Sequence, residues 1–519
     1  MASDTISHTL ATITLPPTLP ALLAQLNALT PPLAVVVALS GRALGVADTT
    51  TIAHAQALGH TQCTPALHLW PLPGRIKPVI CIYGAWNVLR HDRRYVARPT
   101  QPYPHTTVAW DAITQLLDAP VIPIIQHICG VAQANQSTLY MVGGAARSVY
   151  DRQPIHDLDL ALHGNVPVVA ATVAAQLGGT LITHGPFGTA SIDMPNATEH
   201  VGITRLDLIP TRREHYARAG ALPTVVETDI TADTQRRDIS INAIAIELRV
   251  GADCPVYDPF DGRHDLYHRH LHLLHPLSFC DDPTRIIRVA RLVERLQLQP
   301  RRTLARVVQA TMAHHHLHVV SHQRWYQEIT KTLQEHDPVP ALARLWHWKF
   351  WKSLHPAFDV HPHHYQHLAR VPLPYRLVAW LWYAPTPALL ALLQTWSMLP
   401  RTLRDMPALK AQLAAINQEP GIRPSQLMHR IGEYDRAMLH AIGIGDPAVA
   451  RLANHLDTIA ARTPPLHING HDIIAIGIGA GPAVKRALQA LHVALYDGEC
   501  TAQTRTEQMA WVHRHFGPT

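Results

Sequence analysis

The sequence is poor in the features that mark secreted and membrane-spanning proteins. Its cysteines are few and scattered, with no CxxC pair, so we expect neither a disulfide framework nor a disulfide-linked partner. The N-terminal residues show no basic region followed by an apolar core, so no signal peptide is expected. The most apolar stretch, 376–396, contains two prolines and is too short on either side of them to span a bilayer. We therefore expect a cytoplasmic protein without a membrane partner. The six cysteines are Cys63, Cys81, Cys129, Cys254, Cys280 and Cys500.

The chain also lacks long tracts of one charge sign, and lysine is scarce. Only six of its 44 basic residues are lysines. With 47% hydrophobic and 16% charged residues the chain is typical of a globular protein, and 519 residues allow about three or four domains. Arginine favours bidentate contact with phosphate. A codon bias toward arginine explains the overall excess equally well, so only local clusters of arginine can indicate a phosphate-binding site.

Histidine, in contrast, is abundant, with 37 residues. "HHH" at 314–316 and "HPHH" at 361–364 are the densest groups. No histidine stands in a ligand spacing such as HExxH with a carboxylate. We therefore expect the histidines to be structural or to lie on the surface.

The apolar pattern changes character near residue 280. Before it, β-branched strands and Gly or Pro turns dominate; after it, apolar residues recur at helical spacing. Within the N-terminal module, residues 31–60 resemble one half of a CBS-type module. The pattern predicts an α/β module at 1–115, an α/β head at 116–275, and then helices alone from 276 to 519.

Two aspartates interrupt the apolar segment "IHDLDLAL". Alternation puts Asp157 and Asp159 on one face and the three leucines on the other. Two adjacent carboxylates repel unless a cation lies between them, and Mg²⁺ prefers a few carboxylates plus substrate phosphates. These two aspartates are therefore the predicted metal ligands.

A third carboxylate, Asp207, lies on another alternating strand, "GITRLDLIPT". It is a candidate for the same site. An exposed strand residue paired with Arg205 or Arg212 is an equally good interpretation.

The glycine pair in "YMVGGAARSVYD" predicts a phosphate site. A strand, the turn at Gly143 and Gly144, and a helix start would aim backbone N–H groups at an anion. Arg147, one turn into the helix, adds a bidentate donor. A glycine pair alone is more often a plain tight turn, but its place shortly before the two aspartates favours phosphate binding.

The segment "RRDISINA" offers two further arginines, Arg236 and Arg237. Both are candidate triphosphate ligands, and salt bridges at a helix start explain them as simply. Asp238 beside them is a candidate helix N-cap.

Together these segments resemble the class II tRNA nucleotidyltransferase and bacterial poly(A) polymerase family. The family pattern GGxVRD, DxD, FGT, TxRxE and RRDFTxNA appears here, in order, as "GGAARS", "DLD", "FGTA", "TRREHY" and "RRDISINA". The similarity extends to the family's EDxxR segment in "FCDDPTRIIRVARLVERL" and to the C-terminal element of CCA-adding enzymes in "INGHDI". This chain departs from the pattern at Ser148, where the family has aspartate, and at Ala146, where it has valine.

The resemblance implies a polymerase-β-like head, a mixed sheet with helices, followed by an all-helical neck at 276–340, body at 341–460 and tail at 461–519. It implies two Mg²⁺ ions at Asp157 and Asp159, while Asp207 is a candidate catalytic carboxylate from its strand position alone. The residues it assigns to the nucleotide in the head are Gly143, Gly144, Arg147, Arg237, Asp238 and Asn242.

Asp282 and Arg285 lie three residues apart and share a helix face. A carboxylate accepts and a guanidinium donates, which suits the exocyclic amine and ring nitrogen of cytosine and adenine. The resemblance assigns nucleotide selection to this pair, with Arg288 and Arg291 nearby. The alternative is that Asp282 only caps a helix that begins at Pro283.

Basic residues continue at helical spacing beyond the pair. We expect them to contact the phosphates of an RNA acceptor stem, although a solvated helix face is the usual fate of such charge. The residues are Arg295, Arg301 and Arg302.

The sequence thus predicts template-independent addition of C and A nucleotides, from CTP and ATP, to the 3′ end of tRNA with release of pyrophosphate. A poly(A) polymerase and an enzyme that adds only CC or only A are the alternatives within the family. A catalytically silent RNA-binding protein, suggested by Ser148 and Ala146, is disfavoured because the aspartates are present.

Overall fold

A computed structural model describes the chain at residues 8–40, 42–70, 79–81, 86–91, 94–99, 106–194, 205–300, 302–314, 316–395, 401–419 and 421–517. Contacts between residues divide the chain into two compact units, Met1–Glu328 and Ile329–Thr519.

The first unit opens with a small α/β module. In its three-stranded sheet β2 is parallel to β3, and β3 is antiparallel to β4. The β3 sequence, LAVVV, is β-branched and almost wholly buried, as a central strand requires. A second sheet has the order β1-β7-β6-β5. The elements are β1 (His8–Thr9), β2 (Ala11–Thr14), α1 (Leu19–Asn27), β3 (Leu33–Val37), β4 (Ala43–Asp48), α2 (Thr49–Ala57), α3 (Pro65–His68), β5 (Val79–Cys81), β6 (Trp86–His91) and β7 (Arg94–Pro99).

The head is built on an eight-stranded mixed sheet with the order β11-β12-β13-β10-β9-β16-β17-β8. Strands β10 and β13 are parallel, and the other pairs are antiparallel. Its elements are β8 (Thr106–Ala109), α4 (Trp110–Thr114), α5 (Val121–Ala134), β9 (Thr138–Val142), α6 (Gly143–Asp151), β10 (Leu160–His163), α7 (Val166–Leu177), β11 (Thr180–His184), β12 (Thr189–Asp193), β13 (Arg205–Pro210), α8 (Ile230–Gln235), β16 (Ala245–Glu247) and β17 (Asp253–Tyr257), with the separate hairpin β14 (Arg212–His215) and β15 (Thr224–Glu227).

The two faces of this sheet have different neighbours. On one face, residues such as Met141, Leu160 and Leu208 join the large core that includes α5 and α7. On the other face, Ala161 packs in a smaller cluster with Ile230 of α8. Alternation along the strands produces this division, since successive side chains point to opposite faces.

The neck follows the head, and its last helix extends past Glu328, the last residue of the first unit. Helix α11 places apolar residues on one side and arginines on the other, in the pattern of an amphipathic helix. The last elements of the head are α9 (Gly262–Tyr267) and β18 (His270–Leu271), and those of the neck are α10 (Ser278–Asp281), α11 (Arg285–Arg295), β19 (Gln299–Pro300), α12 (Arg302–Ala313) and α13 (His322–Leu333).

The second unit, as far as the structure describes it, consists of helices. An aromatic cluster of Trp351, Phe358 and Trp380 fills part of its core. Asn469 and Thr504 begin their helices with reciprocal capping boxes. The helices are α14 (Val339–His347), α15 (Phe350–Leu354), α16 (Arg376–Leu381), α17 (Thr386–Thr395), α18 (Arg401–Arg404), α19 (Met406–Ile416), α20 (Pro424–Ile431), α21 (Arg436–Gly443), α22 (Pro447–Arg462), α23 (Gly470–Ala475), α24 (Pro482–Asp497) and α25 (Arg505–Phe516).

Short 3₁₀ turns connect these elements at Gly185–Phe187, Ser240–Asn242, His316–Val319, Pro362–Tyr365, Leu368–Arg370 and Leu373–Tyr375. In the part of the chain that the structure describes, no helix is both long and apolar enough to cross a membrane. The predicted fold class, an α/β head with a mixed sheet followed by helices, is confirmed. Strand β8, before residue 116, belongs to the head sheet.

Candidate active site

The glycine pair lies where β9 ends and α6 begins, directly beside an aspartate. Gly143 has φ +60°, a conformation that favours glycine. A Cβ added to Gly143 would lie 2.8 Å from Asp159 Oδ2 and 3.2 Å from an Arg237 Nη1 atom. The Gly144 N–H donates to Asp159 Oδ2 at 3.0 Å. The absence of side chains at this turn therefore leaves backbone, carboxylate and guanidinium together in a small space.

The predicted metal ligands lie just before β10 rather than within it. Asp157 and Asp159 are both exposed, whereas Leu158 packs against the large core and Leu160 is buried. The Asp159 carbonyl accepts a hydrogen bond from the Val142 N–H at 3.0 Å, so Asp159 still joins the ladder with β9. The predicted separation of carboxylates from leucines is what the structure shows.

Asp207 lies on the neighbouring parallel strand at the matching level. Leu208 pairs with Leu160, so Asp207 and Asp159 each stand one residue before a paired position. Asp207 Oδ1 accepts from Ser191 Oγ at 2.5 Å and from Arg205 Nε at 3.3 Å. Both interpretations of Asp207 are thus represented: it stands beside the site, and it is paired with Arg205.

The exposed carboxylates suit a magnesium ion in their chemistry. They are hard oxygen donors at the mouth of the glycine turn, and Mg²⁺ binds through one or two carboxylates with the remaining positions left to water and substrate phosphate. Among the described residues, the three aspartates are not gathered with their oxygens within 4.8 Å of one another. A site with two of them as ligands needs no such grouping.

A chain of buried polar groups supports the turn from behind. Arg147 Nη1 donates to Asn242 Oδ1 at 2.5 Å, and Asn242 Nδ2 donates to Asp238 Oδ1 at 3.0 Å. Asp238 Oδ2 lies 3.4 Å from Arg288 Nε. Burial, together with the charge of Arg295, lowers the pKa of Arg147 to about 10. The predicted residues Arg147, Asn242, Asp238 and Arg288 therefore form one connected network.

Asp238 is not a simple helix N-cap. The 3₁₀ turn that follows has Ile239 at its N-cap position without a side-chain bond. Burial alone would raise the pKa of Asp238, but Arg288 and Arg285 hold it below its usual value. Asp238 is thus a charged link between the head and α11.

The arginine that reaches the glycine turn is held by an aspartate that sequence reasoning did not select. Asp233 is fully buried, and its Oδ2 accepts from Arg237 Nη2 at 3.0 Å while its Oδ1 accepts from Arg236 Nε at 2.8 Å. The Arg237 Nε is buried without a hydrogen-bond partner among the described residues. The i,i+4 spacing of Asp233 on α8 and Arg237 just after that helix was the available signal.

Arg236 is bound to a second acid in addition to Asp233. Its Nη1 donates to Glu214 Oε1 at 3.0 Å, and Arg212 Nη2 donates to the same oxygen at 2.9 Å. Burial would raise the pKa of Glu214, yet Arg236 and Tyr216 lower it below its usual value. Of the two arginines in "RRD", Arg237 alone is directed at the predicted triphosphate position.

The structure gives Asp282 the geometry of a cap. Its Oδ1 accepts from the Thr284 N–H at 3.0 Å and from Thr284 Oγ1 at 2.6 Å, immediately before α11 begins. The same oxygen lies 2.7 Å from Arg324 Nη2. The N-cap position of α11 is Thr284, without a side-chain cap bond of its own, so Asp282 contacts the N-cap residue instead of occupying that position. All three contacts fall on one carboxylate oxygen.

Arg285 is buried and directed at the head. Its Nη1 donates to Ser278 Oγ at 2.8 Å, and its Nη2 donates to the Arg236 carbonyl at 2.9 Å. Burial would lower its pKa, but Tyr216 and Asp282 raise it above the usual value. Two of its five N–H donors are engaged by these contacts, and the guanidinium is fixed beside Arg236, the C-cap residue of α8.

The expected basic stripe on α11 is divided by burial. Arg288 and Arg295 are exposed, whereas Arg291 is buried and its Nη2 donates to Glu328 Oε2 at 3.2 Å. Arg291 is therefore committed to an ion pair, and the exposed charge of α11 lies on Arg288 and Arg295. Arg301 and the side chain of Arg302 lie outside the described residues.

The N-terminal module reaches the neck next to Asp282. His54 Nε2 of α2 donates to Asp281 Oδ1 at 2.7 Å, and His275 Nε2 lies 3.5 Å from Asp281 Oδ2. Burial lowers the pKa of His54, but the bond to Asp281 outweighs it, so the net shift is upward. Burial lowers the pKa of His275 to about 4. No pattern in the sequence connected residue 54 with residue 281.

Comparison with known proteins agrees with this geometry. Residues 139–272 match the family model described as the poly A polymerase head domain. An A-adding tRNA nucleotidyltransferase of Halalkalibacterium halodurans is 34% identical over 253 residues, which are 48% of this chain and 58% of that protein. An A-adding tRNA nucleotidyltransferase of Geobacter sulfurreducens is 26% identical over 422 residues, 76% of this chain and 47% of that protein. This chain thus spans about half the length of these two relatives.

A solved structure, a Thermotoga maritima CCA-adding enzyme complexed with tRNA, has the same fold. Its TM-score is 0.59 at 21% identity, over 79% of this chain and all of that one. Other relatives are described as a CC-adding tRNA nucleotidyltransferase and a multifunctional CCA protein.

Most of the mixed sheet, with a glycine turn and an aspartate at the end of adjacent strands, lies within the residues that match the poly A polymerase head domain. Over part of its length the chain is similar to members of the class II tRNA nucleotidyltransferase and bacterial poly(A) polymerase family, the family that its ordered motifs resemble.

Proposed function

We propose that this chain adds C and A nucleotides from CTP and ATP to the 3′ end of tRNA without a nucleic-acid template. The terminal ribose hydroxyl forms a bond to the α-phosphorus, the bond from that phosphorus to the bridging oxygen breaks, and pyrophosphate leaves. The observation that carries the proposal is the convergence of the Gly144 N–H, Asp159 and Arg237 at the glycine turn.

Each of these groups has a distinct task in the proposal. Arg237, held by buried Asp233, supplies cationic donors to the triphosphate. The glycine turn at the start of α6 lets the phosphates approach the backbone. Bound at Asp157 and Asp159, Mg²⁺ would lower the pKa of the attacking hydroxyl and stabilise charge on the leaving oxygens.

Nucleotide choice is assigned in this proposal to Asp282 and Arg285. Asp282 is bonded through Oδ1, so its other oxygen can accept a hydrogen bond from the base. Arg285 uses two of its five N–H groups in the contacts described above, so others can donate to the base. An incoming C or A presents an amine donor and a ring-nitrogen acceptor to such a pair. U and G present a carbonyl and an N–H there, which leaves a buried charge unpaired at a cost of about 1–3 kcal/mol.

The RNA partner is supported by fold and charge. The Thermotoga maritima neighbour is a complex with tRNA, and related solved structures are complexes of a CCA-adding enzyme with ATP and with CTP. On this chain Arg288 belongs to the network that supports the glycine turn, Arg295 lies close enough to act on the pKa of Arg147, and both side chains are exposed. We assign Arg295 to the phosphates of the acceptor end, because exposed arginine is suited to such contacts.

Addition of the terminal A alone is a second candidate. It is favoured by one observation, that both relatives compared in detail are described as A-adding. Two substrates separate the candidates: tRNA lacking all three terminal nucleotides, and tRNA ending in CC. Full CCA addition predicts extension of the first with CTP and then ATP. A-only addition predicts extension of the second with ATP and no reaction of the first with CTP. Failure to extend either substrate would contradict both.

A further inference from the structure

A group of histidines and one aspartate lies behind the active site, on α9 and β18. The segment "HDLYHRH", residues 264–270, brings His264, Asp265 and His270 together. One potential ligand atom from each lies within 4.8 Å of the others. Neither the predicted magnesium carboxylates nor the nucleotide-binding residues belong to this group.

The orientation of Asp265 exposes one oxygen to the histidines. Asp265 is fully buried, and its Oδ2 accepts from Ser240 Oγ and lies 2.8 Å from His272 Nδ1. Its Oδ1 is 4.0 Å from His264 Nδ1. A carboxylate bonded through one oxygen and directed at an imidazole with the other has the arrangement of a metal ligand with outer partners.

The histidine side of the group is also consistent with a shared ion. His264 Nδ1 is buried and has no hydrogen-bond partner among the described residues. Two ligands of one tetrahedral Zn²⁺ ion stand about 3.3 Å apart, because each metal–ligand bond is about 2.0 Å. The 4.0 Å between His264 Nδ1 and Asp265 Oδ1 is too long for a hydrogen bond. It is slightly longer than the separation of two zinc ligands, and a small rotation of either side chain would remove the difference.

A third histidine stands near enough to complete the coordination. The ring centroid of His268 lies 4.4 Å from that of His264 and 5.7 Å from that of His270, and the His264 and His270 centroids are 6.4 Å apart. Imidazoles on a common tetrahedral ion have centroids about 5 Å apart, since each ring lies about 3 Å from the metal. The three centroid distances therefore lie on either side of the value expected for imidazoles on one ion.

We propose that His264, Asp265 and His270 bind a divalent transition metal ion, Zn²⁺ by donor chemistry, with His268 the nearest source of a fourth ligand. Two imidazoles and a carboxylate are a donor set typical of zinc and poorly suited to Mg²⁺. The ion fastens α9 to β18. Through Asp265 and Ser240 it also stiffens the turn Ser240–Asn242, whose Asn242 bonds Arg147. The site is structural and does not take part in nucleotidyl transfer.

The test uses untagged full-length protein, stripped of metal and titrated with Co²⁺ in excess Mg²⁺. We expect one Co²⁺ per chain with the visible absorption of tetrahedral cobalt, and displacement of that absorption by Zn²⁺. Changing His264→Ala and His270→Ala together should weaken binding by at least ~100-fold, more than the loss of an outer partner. His336→Ala, at an exposed histidine outside the group, should bind as the unchanged protein does.

A second readout keeps the test independent of catalysis. Zn²⁺ should raise the melting temperature of the unchanged protein and of His336→Ala, and not that of the double variant. The single variant His270→Gln serves in the same way if the double variant does not fold. Absence of a bound Co²⁺ equivalent, or equal Co²⁺ binding by the double variant, would overturn the proposal and leave the group as histidines paired with Asp265.

Discussion

The substitution Asp282→Asn separates helix capping from base reading at a single position. Asparagine caps a helix about as well as aspartate, so its Oδ1 retains the bonds from the Thr284 N–H and Oγ1. Asp282→Asn loses only the ion pair with Arg324, which is partly exposed and contributes about 1 kcal/mol or less to the unfolding free energy. Asp282→Ala loses that pair and the cap, about 2 kcal/mol together.

Base reading responds differently to the same change. The second carboxylate oxygen of Asp282 is an acceptor, and the amide of asparagine puts a donor in its place. A mismatched buried donor costs about 1–3 kcal/mol, and 1.4 kcal/mol is a tenfold change. We therefore expect Asp282→Asn to reduce the preference for CTP and ATP over UTP and GTP by about tenfold or more.

The assay measures incorporation of each of the four nucleotides into tRNA beside a thermal melt of each variant. Thr284→Val is the matched control, because it removes the 2.6 Å hydroxyl bond to Asp282 and leaves the carboxylate in place. It should lower stability without altering the incorporation ratios. An active Asp282→Asn variant with unchanged ratios would refute the base-reading role and leave Asp282 a cap.

Three further predictions test other contacts. Asp233→Ala removes the partner of Arg237 and one partner of Arg236, so it should cost about 3 kcal/mol of unfolding free energy in urea melts and raise KM for ATP. The control Asp229→Ala removes the N-cap of the same helix and should cost about 1 kcal/mol without changing KM. Equal KM values for the two variants would contradict this prediction. Arg295→Ala should reduce by about 1 the slope of log K for tRNA binding against log salt concentration, whereas Arg249→Ala should leave that slope unchanged. An unchanged slope in Arg295→Ala would show that Arg295 is a solvated surface residue without a phosphate contact. Asp281 raises the pKa of His54, so the stability that this shift adds is complete below pH ~6.5 and is lost as the pH rises through the raised pKa. His54→Ala should therefore cost more unfolding free energy at about pH 6 than at about pH 9 in urea melts. A cost independent of pH would show that the pair is not charged.

Local patterns predicted the parts of the site that depend on one strand or turn. The alternation of aspartate with leucine placed Asp159 opposite the core, and the glycine pair marked the turn at the end of β9. Both follow from the geometry of a few consecutive residues, so that neighbouring residues suffice to predict them.

Contacts between distant segments were not predictable in the same way. His54 and Asp281 are 227 residues apart, and Arg147 and Asn242 are 95 apart. The helical spacing of arginines on α11 did not reveal that Arg291 is buried against Glu328. The ligand atoms of His264, Asp265 and His270 converge only because α9 is followed directly by β18. Such pairings depend on how elements pack, which periodicity alone does not specify.

The most direct test of nucleotidyl transfer at the glycine turn compares the unchanged protein with Asp157→Asn and Asp159→Asn. Asparagine preserves the acceptor for the Gly144 N–H, so the turn should keep its shape, while the ligand charge for Mg²⁺ is lost. The measurement is extension of tRNA ending in CC with labelled ATP, beside the Kd for the same tRNA. Loss of several kcal/mol of transition-state stabilisation predicts a fall in rate of more than about 1000-fold with Kd within about twofold. A rate within about tenfold of the unchanged protein in either variant would contradict the account.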